Sequence, residues 1–335
     1  MNKKIEDIIR GAKTIAISGH KNPDGDCVGS CVALANYIWE NFPNSCEVSV
    51  YFDRITSDLR YLKEDGNVIL WKDAMERGVE APDLFVIVDC STVDRLGILA
   101  PVFEGAKRTF CIDHHVSNDA FADGNVIVPD ASSTCEVLYD LMDEERISQK
   151  IAEELYLGIV HDTGVFKYAG TSEHTMQVAG RLMSKGIDTT RLIDETFYEK
   201  TYIQNQILGR ALLESILFMD KKCIFSAIRK AQMDFYGVTG ADLGGIVEQL
   251  RLTAGVECAI FLYEIGELEY KVSMRSKNLI DVSKVAKYFG GGGHIRAAGC
   301  EMKGTMHDVL NNISARIEMQ FKEMAKREKT VGTAE

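Results

Sequence analysis

Apolar positions in the first 130 residues recur in two textures. Short unbroken runs have the length and β-branched content of buried strands: "TIAISG" from residue 14, "CEVSVYF" from 46, "LFVIVDC" from 84, "RTFCIDHH" from 108 and "GNVIVPD" from 124. Between the first two, "GSCVALANYIWENF" has helical spacing, and the opening "MNKKIEDIIRGAK" places Ile5, Ile8 and Ile9 on one face of a short amphipathic helix. Apolar strands separated by helices predict a mostly parallel sheet covered on both faces. The ligand crevice of such a sheet lies beyond the carboxyl ends of its strands.

From residue 131 to about 218 the pattern turns helical, through "SSTCEVLYDLMDEE", "ISQKIAEELYLGIVHD" and the long stretch "ETFYEKTYIQNQILGRALLESILFM". Ser132 or Ser133 ahead of Glu136 has the form of a helix cap. Strand texture then returns in "KCIFSAIRK", "ECAIFLYEI" and "LEYKVSMRS", followed by the helix "VSKVAKYF" and a run of glycines. The expected architecture is α/β: a catalytic domain over 1–186 with a mostly parallel sheet flanked by helices, a helical connector over 187–215, a smaller domain with a mixed sheet over 216–325 and a tail over 326–335. The active site is expected in the cleft between the domains. No Gly/Ser/Pro-rich linker separates them.

Composition narrows the function. The longest apolar runs fall well short of the roughly 20 residues of a membrane span, and the charged N-terminus lacks the apolar centre of a secretory signal. The nine cysteines are odd in number and mostly sit in apolar stretches, as reduced thiols do. These features place the chain in the cytoplasm. Cys27 and Cys31 stand one helical turn apart, but no second pair completes a zinc set. A formal charge of −12 opposes binding of long DNA or RNA by its phosphates, yet leaves room for a short anionic substrate held by a few arginines and bound cations.

Candidate chemistry gathers where the strands end. "SGHKNPDGDCVGS" at 18–30 sets His20, Asp24 and Asp26 directly after an apolar strand; "VIVDC" ends on Asp89, "FCIDHH" on Asp113, His114 and His115, and "LGIVHDTGVF" on His161 and Asp162. A single aspartate in such a place is ordinary as a cap or turn former. Four such segments without lysine or arginine partners would repel, and bound cations are the usual remedy. Aspartate with histidine and no clustered cysteine suits two divalent ions, manganese first, with magnesium, cobalt or iron as alternatives. Such a pair activates water for in-line attack on phosphorus. Pro23 and Gly25 would then fix the turn, while Gly29 and Ser30 let the next helix pack closely on the sheet.

Taken in order, "HKNPDGD…GS", "VDC", "IDHH" and "GIVHDTGVF" resemble the four motifs of the DHH phosphoesterases, and "SMRS" with "GGGGHIRAAG" resembles the signatures of their associated C-terminal domain. The resemblance spans roughly residues 12 to 320. It implies one metal held by His20, Asp24 and Asp89, and a second by Asp26, Asp89, His114 and Asp162, with Asp89 bridging. It also implies that Asp113 orients His114 or supports the metal loop, and that His115 faces the scissile phosphate. Two positions depart from the family pattern: Lys167 stands where many members have arginine, and His161 where a small polar residue is common.

In the second half, Gly291, Gly292 and Gly293 would let the backbone approach a phosphate or base, with Arg275 and His294 as the main contacts and Ser276 and Arg296 as lesser ones. Within the family, the size and plain two-domain form resemble the group that degrades short oligoribonucleotides to mononucleotides and removes the 3′-phosphate of 3′-phosphoadenosine 5′-phosphate (pAp). Cyclic di-AMP or its linear product pApA is the alternative substrate, and a non-catalytic nucleotide sensor or RNA-binding module is a reading of another class. The expected partners are short RNA or these small nucleotides, with no membrane and no long duplex; a homodimer is compatible with this reading.

Overall fold

Residues in the first strands alternate between two cores. In a computed structural model that describes residues 4–55 and 68–331, Ile15 and Ile17 of β1 (Thr14–Ser18) and Val86 and Val88 of β4 (Leu84–Val88) face one apolar cluster. Ala16, Phe85 and Ile87 face another. This is the two-residue period of a strand buried on both sides.

With β2 (Glu47–Phe52), β3 (Val68–Leu70), β5 (Thr109–Asp113) and β6 (Gly124–Ile127), these strands form a six-stranded sheet in the order β3-β2-β1-β4-β5-β6, parallel throughout. The order reverses between β1 and β4. That switch point opens a crevice at the carboxyl ends, and His20 follows β1 there as Asp89 follows β4.

The first cluster joins the sheet to α1 (Ile5–Ile9), α2 (Gly25–Asn41), α5 (Thr134–Leu141), α6 (Gln149–Thr163) and α7 (Glu173–Met183), and the second joins it to α3 (Trp71–Arg77) and α4 (Ala100–Gly105). Ile5, Ile8 and Ile9 are buried, as their spacing predicts. Gly29 serves a contact other than the expected one with the sheet. A Cβ there would stand 2.6 Å from the Glu154 carbonyl oxygen of α6, and one on Gly158 would stand 2.7 Å from Asp26 Oδ1. Gly29 thus brings α2 and α6 together backbone to backbone, and Gly158 leaves room for the side chains of Asp26 and Cys135.

The chain divides into two compact units, Met1–Glu199 and Lys200–Glu335. The long helical pattern near the division is broken into α8 (Thr189–Ile193), a π-helical turn over Asp194–Tyr198 and α9 (Tyr202–Leu213). Its end, expected to be helical, is instead β7 (Ile216–Phe218), which pairs antiparallel with β8 (Cys223–Ile228) across a turn where Met219, Asp220 and Lys221 all have positive φ. Apolar runs this short carry no period that separates strand from helix.

The second unit holds a mixed sheet in the order β11-β12-β10-β9-β8-β7, adding β9 (Cys258–Gly266), β10 (Glu269–Ser276), β11 (Gly292–His294) and β12 (Ala297–Lys303). Only β8 and β9 run parallel among these pairs. Here α12 (Val282–Tyr288) and α13 (Met306–Val331) share one core with the sheet, while α9, α10 (Lys230–Tyr236) and α11 (Ile246–Arg251) share another. The last four residues of the expected tail lie outside the described residues.

Gly29→Ala should therefore lower stability by ~1–3 kcal/mol, the range for forcing extra volume into a packed interior. Urea denaturation of the two proteins measures it, and equal midpoints would contradict the backbone contact.

Candidate metal centre

Each acidic or imidazole group at the crevice is aimed by its own element. Asp24 caps α2, its carboxylate accepting from the Cys27 N–H at 3.2 Å. Asp26 lies in the first turn of α2 and is buried, with its two oxygens accepting the N–H groups of Thr134 (2.7 Å) and Cys135 (3.0 Å) at the start of α5. Asp89, also buried, has a φ of 50°, a left-handed conformation tolerated better by aspartate than by most residues. Strain of this kind concentrates at functional sites. Asp162 occupies the last turn of α6, after which Gly164, Val165 and Phe166 all take positive φ and reverse the chain.

These segments meet. His20 Nε2 lies 3.5 Å from Asp89 Oδ2 and 3.7 Å from Asp24 Oδ2. His114 Nε2 lies 3.0 Å from Asp162 Oδ2 and 3.7 Å from Asp89 Oδ1. Asp26, His114 and Asp162 offer donor atoms within 4.8 Å of one another, as do Asp89, His114 and His115, and likewise His20, Cys27 and Asp89. Asp89 thus touches both halves of the cluster. Cys27 is a fully buried thiol, its pKa raised well above the ordinary value by burial first and the neighbouring Cys31 next.

Of the two parts expected of Asp113, its contacts fit support of the loop, and the ring it orients is His115 rather than His114. Its side chain bonds the ring of His115, Nδ1 to Oδ1 at 2.8 Å, whereas the His114 ring is held by the Ala131 carbonyl at 3.2 Å from Nδ1. Asp113 reaches His114 only through the backbone N–H, at 2.8 Å.

The electrostatics describe a site short of positive charge. Burial raises the pKa of Asp26 well above the carboxylate range, with the charges of Asp89 and Asp162 adding to it. Burial also raises Asp162, with Asp89 and Asp24 adding and His114 opposing. Burial disfavours a charged His20, but its bonds to Asp24 and Asp89 prevail and lift it to about 11. In the same way Asp162, Asp26 and Asp89 overcome the burial of His114 and raise it to about 10. Asp24 goes the other way: burial is outweighed by the bond to His20, which lowers it to about 2. Protons here stand in for cations, and a donor set of carboxylates and imidazoles suits hard to borderline divalent ions.

The second-unit residues form a separate group. Register puts Arg275 of β10 and His294 of β11 on either side of Ala297 of β12, so the three share one face, and the outer two are about 10 Å apart across two strand spacings. Arg275 Nε donates to Glu248 at 2.5 Å. Ser276 is buried on the opposite face, its hydroxyl donating to the Ile280 carbonyl at 2.6 Å. Arg296 is likewise occupied, donating to the carbonyls of Ile280 and Asn278. The second half of the glycine run, Gly292 and Gly293, opens the edge strand β11; a Cβ on Gly291 or Gly293 would collide with β12, while one on Gly292 would meet nothing within 4 Å.

The DHH family, N-terminal domain, matches residues 14–159, and the DHHA1 domain matches residues 220–323. The chain thus carries a DHH-family N-terminal domain in its first unit and a DHHA1 domain in its second. It is 24% identical over 315 residues to the bifunctional oligoribonuclease and PAP phosphatase NrnA of Bacillus subtilis, covering 92% of this chain and 95% of that protein. It is 29% identical over 321 residues to the protein of the same name from Mycoplasma pneumoniae, covering 90% and 91%. A crystal structure of an exopolyphosphatase-related protein from Bacteroides fragilis shares the fold, with a TM-score of 0.86, 24% identity and 95% of each chain covered.

Thr134, a contributor to this site, carries no signal in the sequence reading, whereas His161 stands within the "GIVHD" motif. Thr134 donates its hydroxyl to Asp89 Oδ1 at 3.3 Å while its N–H holds Asp26, so one residue ties two carboxylates to the start of α5. His161 lies against Gly25, where any Cβ would strike its ring, and its Nε2 pairs with the Thr196 hydroxyl at 3.0 Å.

The pKa directions set a pH test. Raised His20 and His114 stabilise the metal-free fold below their unfolded value of 6.5, a contribution lost as pH rises through about 10 and 11. Raised Asp26 and Asp162 bind more protons folded than unfolded, so their contribution also falls as pH rises above 3.8. Thermal unfolding in chelator should weaken between about pH 6.5 and 8.5, and the increment from added Mn²⁺, which competes with those protons, should grow. An increment independent of pH would remove the imidazoles from the metal site.

Proposed function

We propose that the chain is a two-metal phosphoesterase that hydrolyses short oligoribonucleotides to mononucleotides and pAp to AMP. The observation that carries this reading is the convergence of His20, Asp24, Asp26, Asp89, His114 and Asp162 from separate segments onto the switch point of a parallel sheet. His20, Asp24 and Asp89 would hold one ion and Asp26, Asp89, His114 and Asp162 the other, with Asp89 shared. Manganese suits the mixed oxygen and imidazole donors, and magnesium, cobalt and iron are the alternatives. Two such ions supply activated water and neutralise charge on the attacking and departing oxygens.

The chain's own residues do the rest. Thr134 and the start of α5 keep the Asp26 and Asp89 carboxylates from turning away from each other. His115, held at Nδ1 by Asp113, has Nε2 left to face the scissile phosphate and its departing oxygen. In the second unit, Arg275 and His294 on one face would hold a phosphate or the base, with the backbone of Gly291, Gly292 and Gly293 beside them; Ser276 would act through the loop it anchors.

Substrate class follows from charge and from relatives. The chain's excess of acid lies in the first unit, while lysine and arginine slightly outnumber acid in the second. That distribution favours a short anionic chain over a long one. The relatives named for oligoribonuclease and PAP phosphatase activity cover nearly the whole length of this chain. Among the described residues no helix is long and apolar enough to cross a membrane, and all nine cysteines are free thiols, which supports a cytoplasmic setting.

With Mn²⁺, an RNA dinucleotide and pAp should both be turned over, and chromatography of the products should show mononucleotides and AMP. Cyclic di-AMP as the fastest substrate would overturn the assignment. Asp89→Ala should reduce kcat by more than about a hundredfold, beyond the usual loss from a residue that only supports a ligand, with the fold retained by circular dichroism. Arg275→Ala should raise KM more than it lowers kcat, and a loss confined to kcat would contradict a binding role.

A further inference from the structure

The loop after β5 closes on the buried carboxylate of Asp113 from both sides. Oδ1 accepts three donors: the backbone N–H groups of His114 (2.8 Å) and His115 (3.2 Å) and the ring Nδ1–H of His115 (2.8 Å). Oδ2 accepts from the side-chain amide of Asn118 at 2.7 Å. The same amide nitrogen lies 3.2 Å from the carbonyl of Cys90, the residue after Asp89, and 3.4 Å from Cys111 Sγ. Its other end, Oδ1, accepts the Ala120 N–H at 2.9 Å, and the Asn118 backbone N–H donates to the His115 carbonyl at 3.1 Å.

A local turn needs only the Oδ1 contact with Ala120. The inward amide is additional, and it bonds the Asp113 side chain and the carbonyl of Cys90, which follows Asp89 in the chain. Three donors other than the ring already point at this carboxylate, which favours its ionised, acceptor-only form and so a ring tautomer with the proton on Nδ1. A carboxylate fixed in plane fixes the ring that it holds, as partners of functional histidines do elsewhere.

We propose that Asn118 is a positioning residue for His115: by donating to Asp113 Oδ2 it locks the carboxylate whose other oxygen holds the imidazole, and so sets the ring nitrogen and angle presented to substrate. The inference rests on the reading of His115 as the group facing the scissile phosphate. Asn118 touches no reacting atom itself.

Asn118→Asp tests this with little change of shape, since it keeps an acceptor for Ala120 and removes the donor to Asp113; Asn118→Ala is the second variant. Each is assayed for kcat and KM on an RNA dinucleotide, for Mn²⁺ affinity by calorimetry and for thermal midpoint. The expected result is a kcat lower by about 10- to 100-fold, with KM and Mn²⁺ affinity within about twofold of wild type. In a His115→Ala background, Asn118→Ala should cost nothing further. Long-range ¹⁵N–¹H spectra, assigned with His115→Ala, should place the His115 proton on Nδ1 in wild type and show a tautomer mixture in Asn118→Ala. Wild-type kcat in Asn118→Asp, or losses that add fully to that of His115→Ala, would overturn the proposal. Full activity in His115→Ala would instead refute the role of His115, and an unchanged tautomer in Asn118→Ala would then refute the positioning as well.

Discussion

Like charges held close together in a partly dry crevice are the constraint around which the first unit is built. Asp24, Asp26, Asp89 and Asp162 would separate if their supports allowed it, because repulsion between carboxylates grows as solvent is withdrawn. Each support opposes a particular movement. The left-handed backbone of Asp89 turns its carboxylate at the end of a buried strand. The two N–H groups at the start of α5 grip Asp26. Three successive residues of positive φ turn the chain away directly after the helix that carries Asp162. The imidazoles of His20 and His114 supply positive charge by binding protons, the same compensation that a divalent cation gives more strongly.

The parts of this arrangement legible in the sequence are those carried by residue type and short spacing. Strand runs ending on aspartate or histidine located the crevice, since a parallel sheet leaves its polar residues at one end. Ile5, Ile8 and Ile9 declared a helix face by period alone. What stayed hidden depends on through-space neighbours of unremarkable type. Thr134 and Asn118 are common turn and cap residues, and their bonds to Asp89 and Asp113 arise only when chain segments distant in sequence meet. That Asp113 braces its loop is legible, but which of the adjacent His114 and His115 rings it bonds is decided by ring direction alone. The strand at Ile216–Phe218 was absorbed into a helix because three apolar residues show no period of their own.

The second unit follows a different logic. Its candidate contacts are not clustered in sequence, but the register of β10, β12 and β11 brings Arg275 and His294 to one level of the sheet and one face. Glu248 of α11 holds the Arg275 guanidinium from the same side, which limits its rotation before any ligand arrives. Ser276, one residue on, points into the opposite core, so neighbours in the motif do different physical tasks.

The contact of α2 with α6 at Gly29 and Gly158 bears on how far such a chain can drift. Where helices meet through main-chain atoms, the distance between the acids they carry depends little on what side chains cover the exterior. Most outward positions are then open to replacement over evolutionary time, while two small residues at the crossing are not.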